Sequence, residues 1–315
     1  WVIIATERAK RPDEFKTRSV SRRAGQSEPT CPFCPGHEAM TPPETFALRP
    51  DGSAPNSPGW QVRVVPNKFP ALRPDDRTKA RDGWRTVRPG TGLHEVVIES
   101  PRHEIHFALQ PDEQACRIVR VLQQRYCEAM SADGPAKVCC IFKNHGKSAG
   151  ASLEHPHFQI IAPSVIPPAI ARMVRRQCEY LQRTGRSLFD DLLTEELELG
   201  ERIICVTDRF AVLAPWASRS PFEMWVVPRW PSHSFAEPDE QALAEFACLL
   251  RDMLRKLHDL LDDPDYNMVI HSAPKLAEAE PGFRWFVQIL PRLTIAAGFE
   301  FGTGIYINPT VPEQA

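Results

Sequence analysis

The run Gly150-Ala151-Ser152-Leu153-Glu154-His155-Pro156-His157-Phe158-Gln159 leads directly into the apolar Ile160-Ile161-Ala162. In an extended chain alternate residues share a face. The spacing therefore places His155, His157 and Gln159 on one side of a strand, with Phe158 and Ile160 turned to the core. Three polar side chains in a row are costly to bury without partners, which marks this strand as a site. Imidazole is largely neutral and nucleophilic near pH 7. It can attack phosphorus and form a phosphoramidate, dividing one hard transfer into two easier steps. A neighbouring amide such as Gln159 can donate to a non-bridging phosphate oxygen without adding a proton-transfer group. Upstream, Asn144-His145-Gly146-Lys147-Ser148-Ala149-Gly150 is rich in small residues that let backbone N–H groups approach an anion. The Gly-x4-Gly-Lys-Ser pattern of a nucleotide-binding phosphate loop is absent, so Gly146-Lys147-Ser148 alone carries no weight.

A second chemistry is written near the start. Cys31-Pro32-Phe33-Cys34 sets two thiolates at a spacing used for zinc. Pro32 and Pro35-Gly36 make this a rigid turn, unlike a redox pair opening a helix. Zinc takes four nitrogen or sulfur ligands, and His37, His94, His103, His106, His145, His155 and His157 are the candidates to complete the set. His103 gains weight because it follows Ser100-Pro101-Arg102 just after the apolar Val96 to Ile98, and His155 because of its motif. Such a site would be closed and structural, holding a distant turn against the nucleophile strand.

The elements that must position these groups occur twice. Pro111-Asp112-Glu113-Gln114-Ala115 recurs as Pro238-Asp239-Glu240-Gln241-Ala242, 127 positions later. Each copy opens an amphipathic helix, over 111–131 and 238–261, with Pro and acids in its first turn. Before each helix an apolar strand ends in Val64-Val65-Pro66 or Val226-Val227-Pro228. After each come two strands, Val138 to Phe142 with Gln159-Ile160-Ile161, and Asn267 to Ile270 with Gln288-Ile289-Leu290. The two Gln residues stand 129 positions apart, a small drift of the kind loops produce. The order predicts an α+β fold of two duplicated modules, 1–168 and 169–315, with mostly antiparallel sheets and flanking helices, paired into one pseudo-twofold body. Amphipathic helices over 170–184 and 189–200 connect them, and the polar stretch 73–92 reads as a surface loop with short hairpin strands.

Composition narrows the function classes. A net charge of −2 over 315 residues offers no global field for nucleic acid or anionic lipid. No apolar run approaches the ~18 residues of a membrane span. Nine cysteines, an odd and uneven set, suit a reducing cytoplasm better than a disulfide framework.

With these residues in place, the sequence resembles the galactose-1-phosphate uridylyltransferase family, the transferase branch of the histidine-triad superfamily. The likeness spans nearly the whole chain. Trp1-Val2-Ile3-Ile4-Ala5 with Arg8-Ala9-Lys10-Arg11-Pro12, then Cys31-Pro32-Phe33-Cys34-Pro35-Gly36, Pro66-Asn67-Lys68-Phe69-Pro70-Ala71-Leu72, Ser100-Pro101-Arg102-His103 and the His155 motif follow in family order. So do Pro221-Phe222-Glu223 and Gly298-Phe299-Glu300. The resemblance implies one structural zinc held by Cys31, Cys34, His103 and His155, with His157 as the nucleophile and Gln159 beside it. It implies a nucleotide and phosphate site of Asn67, Lys68, Asn144, Gly150 and Ser152. Glu300 stands in the segment that would meet the sugar. Arg8 and Arg11 match arginines that reach the partner's site in a homodimer. Similar hydrolases carry His where Gln159 stands, so the intermediate is expected to survive until a phosphorylated acceptor arrives. The expected substrates are a nucleotide sugar and a sugar 1-phosphate, UDP-glucose and galactose 1-phosphate first. An ADP-sugar phosphorylase is the alternative within the family, and an idle nucleotide-binding protein the alternative outside it. In the second copy Arg284 aligns with His155 and Phe286 with His157, so it is expected to be chemically silent. His271 survives in a matching context, but Phe286 and Gln288 stand at the other ligand positions, so no second metal is expected there.

Overall fold

The computed structural model describes residues 1–6, 30–276 and 282–314. Arg8 and Arg11 lie outside the described residues. Ten strands form one sheet: β2 (Phe46–Leu48), β3 (Val62–Pro66), β4 (Gly92–Ile98), β5 (Cys140–His145), β6 (His157–Pro163), β7 (Ile203–Val206), β8 (Phe210–Leu213), β9 (Met224–Pro228), β10 (Tyr266–His271) and β11 (Phe286–Pro291). Two short strands, β1 (Val2–Ile4) and β12 (Tyr306–Asn308), pair in parallel apart from it. The spatial order is β2-β3-β4-β6-β5-β10-β11-β9-β8-β7, and every pairing in this sheet is antiparallel.

That order is a palindrome. Reading outward from the β5–β10 seam, the N-terminal half runs β5, β6, β4, β3, β2 and the C-terminal half β10, β11, β9, β8, β7. Gln159 pairs with Val96, and Gln288 pairs with Trp225, so the duplication read from the two helices and the two Gln strands is the symmetry of the sheet. One expected correspondence is corrected. The Val64-Val65-Pro66 strand is not the partner of Val226-Val227-Pro228. β9 fills the place of β4, next to β11 as β4 is next to β6, and β8 fills the place of β3. The shared Val-Val-Pro reflects what buried strands use on both faces, not descent of one from the other.

The long helices α1 (Asp112–Ala129) and α4 (Glu240–Leu261) are the duplicated pair and pack on each other. The Asp239 carboxylate accepts from Ala242 N–H at 2.7 Å and starts α4. Both helices lie on one face of the sheet. There Val62, Val64, Val97, Phe158, Ile160, Ala162 and Ile141 join Phe107, Leu122, Phe246 and Trp285 in one core. Fully burying a side chain such as Phe158 contributes about 2–3 kcal/mol. Helices α2 (Pro168–Thr184) and α3 (Leu188–Leu199) connect the halves and end on Gly185 and Gly200 in the left-handed conformation. A short helix, α5 (Gly298–Thr303), precedes β12. Residues 73–92 form the expected loop with two isolated bridges, Arg73 to Thr91 and Arg81 to Val87.

The opposite face carries the candidate site. In the N-terminal half its apolar patch is Cys31, Phe33, Cys34, Trp60, Val65, Val96 and Ile98, and in the C-terminal half Ala211, Leu213, Val227 and Phe286 pack with Phe189 and Leu193. His157 and Gln159 open onto this face, paired with Ile98 and Val96. His155 corrects the expected pattern, because β6 begins only at His157. It stands before the strand, fully buried, and faces the cysteines.

Candidate active site and metal cluster

The turn at Cys31 is closed by backbone bonds from Cys34 N–H to Cys31 O at 3.4 Å and from His37 N–H to Cys34 O at 3.1 Å. It brings the two thiols to His103 and His155. Cys34 Sγ lies 3.3 Å from His103 Nδ1 and 3.6 Å from His155 Nδ1, and Cys31 Sγ lies 3.7 Å from His155 Nδ1. A tetrahedral zinc with bonds of ~2.3 Å to sulfur and ~2.0 Å to nitrogen would set sulfur–nitrogen edges near 3.5 Å. The four residues fit that test. His155 Nε2 donates to Ser100 O at 2.8 Å, which fixes the tautomer and leaves Nδ1 as the ligand atom.

The other histidines named as possible ligands go elsewhere. His37 Nδ1 donates to Cys31 O at 2.7 Å. His157 Nδ1 donates to His155 O at 2.8 Å. His94 joins Gln159, and His106 and His145 meet on the far face of the sheet.

The bond from His157 Nδ1 has a chemical consequence. Nδ1 carries the hydrogen, so the lone pair of the neutral ring is on Nε2. Burial pushes the His157 pKa down to about 4, opposed by the His155 carbonyl and helped by the Lys143 ammonium. Lys143 lies behind the strand, ion-paired with buried Glu99 and 5.2 Å from the centre of the Phe158 ring. Phe33 covers the imidazole edge-on, with ring centres 5.4 Å apart. The arrangement leaves a neutral ring with its lone pair on Nε2, which is able to act as a nitrogen nucleophile.

Gln159 is oriented by a residue that sequence reasoning treated only as a possible metal ligand. Ala71 N–H donates to His94 Nδ1 at 3.0 Å, so His94 Nε2 is the donor, and it meets Gln159 Oε1 at 2.9 Å. Asn67 Nδ2 approaches the same oxygen at 3.5 Å, and Asn67 Oδ1 accepts from Phe69 N–H at 2.9 Å. With its oxygen committed, the Gln159 amide presents its N–H groups to a ligand. His94 and Gln159 sit diagonally on paired strands, two residues apart in register and so on one face.

The 146–150 loop is braced from the other half of the chain. Ser148 N–H and Oγ donate to Asp265 Oδ2 at 2.7 and 2.6 Å. Asn267 Nδ2 donates to Asn144 Oδ1 and to Ala149 O, both at 2.9 Å. Gly146 is obligatory here, because at φ +83° an added Cβ would lie 1.7 Å from Asp265 Oδ1. Gly150 follows at φ +87°, beside the Asn144 amide. Lys68 and Ser152 are exposed at the rim. Asp265 and Asn267 escaped sequence reasoning, since only the β5–β10 pairing brings them here.

Glu300 is placed apart. Its Oε2 accepts from Ala297 N–H at 2.9 Å at the start of α5. It lines a cavity of about 310 Å³ with Arg219 and Arg292, which shares no lining residue with the His157 group. In the second half, Phe286 stands where His157 stands in the first and stacks on His271 with centres 4.5 Å apart. His271 Nε2 meets Gln288 Oε1 at 3.2 Å, and Gln288 Nε2 donates to Glu223 at 2.6 Å.

The duplicated antiparallel sheet, with a histidine and a glutamine beside a Cys-Cys-His-His cluster, defines a hexose-1-phosphate nucleotidyltransferase. Comparison with known proteins gives the family. Residues 1–167 match the model of the galactose-1-phosphate uridyl transferase N-terminal domain, and residues 173–294 that of its C-terminal domain. The chain belongs to the galactose-1-phosphate uridyl transferase family. It is 35% identical to an ADP-glucose phosphorylase of Arabidopsis thaliana, over 100% of this chain and 88% of that protein. It is 28% identical to a galactose-1-phosphate uridylyltransferase of Haemophilus influenzae, over 94% of this chain and 82% of that one. The crystal structure of the Arabidopsis thaliana ADP-glucose phosphorylase with bound ADP-glucose superposes with a TM-score of 0.82 at 33% identity, covering 99% of this chain and 92% of that one. A uridylyltransferase structure superposes with a TM-score of 0.78 at 26% identity, covering 93% and 89%. Among the described residues no helix is long and apolar enough to cross a membrane.

Proposed function

We propose that this enzyme transfers a nucleotidyl group between a nucleotide sugar and a phosphorylated acceptor through a covalent intermediate on His157 Nε2. The observation that carries the reading is the His157 Nδ1 bond to the His155 carbonyl, which frees Nε2 in a ring kept neutral by burial. Nε2 attacks the α-phosphorus of the donor. The N–P bond forms, the P–O bond to the hexose phosphate breaks, and its electron pair leaves on hexose 1-phosphate. An acceptor phosphate oxygen then attacks the same phosphorus and returns the electron pair to Nε2. The group that leaves in the first step and the acceptor that attacks in the second are phosphate oxygens, already anionic near neutral pH, so no general acid is required. Gln159 fits this economy: it donates hydrogen bonds to the phosphorus oxygens and passes no proton to water.

Asn144, Gly150 and Ser152 would line the phosphates, with Asn67 and Lys68 nearer the nucleoside. Arg8 and Arg11 remain proposed phosphate donors to the partner subunit's site in a homodimer. Glu300 remains proposed for the sugar, and its distance in lining from His157 fits a role offered across such a dimer. Cys31, Cys34, His103 and His155 would hold a structural zinc, which ties the N-terminal turn to the nucleophile strand. The modules are proposed as 1–168 and 169–315, in a cytoplasmic enzyme that needs neither membrane nor nucleic acid.

The donor and acceptor expected first are UDP-glucose and galactose 1-phosphate. A second reading, adenylyl transfer from an ADP-sugar to phosphate, is favoured by the 35% identity to the Arabidopsis thaliana ADP-glucose phosphorylase over the whole chain. An exchange experiment tests both. Labelled glucose 1-phosphate is mixed with enzyme and either UDP-glucose or ADP-glucose, with no other acceptor. Label entering UDP-glucose supports the first reading, and label entering ADP-glucose the second. Label entering neither would sink the ping-pong mechanism.

A further inference from the structure

On the helix face of the sheet, away from the nucleophile, a second cluster gathers that the mechanism does not use. His106 lies in the segment between β4 and α1, His258 on the last turn of α4, and Asp263 just beyond that helix. We propose that His106, His258 and Asp263 bind a divalent transition-metal ion of the zinc class, which fastens the end of α4 to the segment carrying His103 and His106.

Their ligand atoms lie within 4.8 Å of one another. His106 Nε2 stands 3.6 Å from Asp263 Oδ1, and His258 Nδ1 stands 3.2 Å from the same oxygen. With metal bonds of ~2.0–2.1 Å, the edge of a tetrahedron is about 3.3–3.4 Å, and these separations straddle it. His145 Nε2 donates to Asp263 Oδ1 at 2.7 Å, too short for two ligands of one ion. His145 is therefore the residue that orients the carboxylate, as groups behind a metal ligand commonly do.

Asp263 accepts from His145 and His258, and His106 is the member of the cluster left outside these bonds. His106 is 5% exposed, its Nδ1 is buried without a partner among the described residues, and its Nε2 lies beyond hydrogen-bond reach of Asp263. A cation at Nε2, 3.6 Å from Asp263 Oδ1, would give that nitrogen a partner that the hydrogen bonds to Asp263 do not supply, and it leaves Nδ1 as it stands. Asp262, the C-cap of α4, and Asp263 both hold φ near +57°, the left-handed turn Asp can adopt, and it ends the helix where this carboxylate meets His145 and His258.

Protonation suits a cation. Burial first, then the neighbouring His145, lowers the His106 pKa to about 2. Against the upward push of burial, bonds from His145 and His258 hold the Asp263 carboxyl well below its usual range. Two imidazoles and a carboxylate favour zinc, cobalt or nickel over magnesium or calcium, which prefer all-oxygen cages. The His258 side chain is 27% exposed and that of Asp263 15%, so an ion and a water have a way in. The expectation of a single metal rested on the His271 strand. This cluster lies elsewhere, and no sequence spacing joins its members.

The full chain, stripped of metal, would be titrated with cobalt(II) while bound metal and the visible spectrum are followed. Thiolate-to-cobalt charge-transfer absorption reports the Cys31 cluster, and ligand-field absorption without it reports the site proposed here. The expected result is a further equivalent of cobalt that adds no thiolate band, with His258→Gln and Asp263→Asn each weakening that uptake by at least ~100-fold and leaving the thiolate band intact. Uptake in the unaltered chain that stops with the thiolate band would overturn the proposal, even if neither variant folds. So would a further equivalent that survives both substitutions.

Discussion

Asn267 donates to Asn144 across the seam of the sheet at 2.9 Å, and the two residues face each other in the β5–β10 register. They belong to equivalent strands of the two halves. The second half therefore acts on the candidate site by holding it: Asn267 also binds Ala149 O, and Asp265 binds Ser148. Replacing Asn267 by Ala removes two hydrogen bonds of about 1 kcal/mol each. We expect kcat to fall about 10-fold or more, with a smaller change in the global melting temperature. Steady-state rates beside a thermal melt check this, and an unchanged kcat would show that the brace is not part of the site.

The His94 ring is a positioning residue. Its Nε2–H holds Gln159 Oε1, so His94→Phe lets the amide turn over and present oxygen to a phosphate. We expect kcat/KM to drop ~10–100-fold, with His94→Gln recovering part of the loss because its amide can still donate. Equal losses in both variants would mean the ring acts through packing.

Chelation would bear on the proposed nucleophile through one atom, because the His155 carbonyl that accepts from His157 belongs to a residue of the candidate metal cluster. Cys34→Ser, or removal of metal by a strong chelator, is expected to lower the melting temperature on the order of 10 °C, corresponding to a few kcal/mol. It should also reduce the fraction of chain able to form the covalent adduct. A treated enzyme with full stability and full adduct yield would exclude a structural metal at these residues.

His271 supplies a pH signature of stability. Burial, opposed by its bond to Gln288, lowers its pKa to about 4 from the ordinary 6.5. The unfolded chain binds a proton below pH 6.5 that the folded chain refuses until pH 4, so stability is full above 6.5 and lost as pH falls toward 4. Between pH 6.5 and 5 this one group costs roughly 1–2 kcal/mol. Urea melts of His271→Asn should show a shallower decline over that window than the unaltered chain. Parallel curves would assign the decline to other groups.

The sequence made some of this legible and hid the rest for physical reasons. Helices α1 and α4 showed through their 3.6-residue periodicity and acidic first turns, because local pattern determines them. The Cys31, Cys34, His103 and His155 set was named from motif and resemblance, and its members meet. The Val-Val-Pro correspondence misled, since a buried strand's composition says nothing about its neighbour. His94, Asp265, Asn267 and the His106 cluster were invisible as partners because each depends on strand register or on an end of a helix. A period of two tells which face a residue takes, not what stands opposite.

The central claim is a nucleotidyl group on His157. Intact-protein mass spectrometry, quenched under alkaline conditions to spare an acid-labile N–P bond, would follow the enzyme mixed with UDP-glucose or with ADP-glucose, beside His157→Gly. The account predicts a mass gain of one nucleoside monophosphate with one of the two donors, lost in His157→Gly and discharged by the matching phosphorylated acceptor. No gain with either donor, or a gain that persists in His157→Gly, would contradict it.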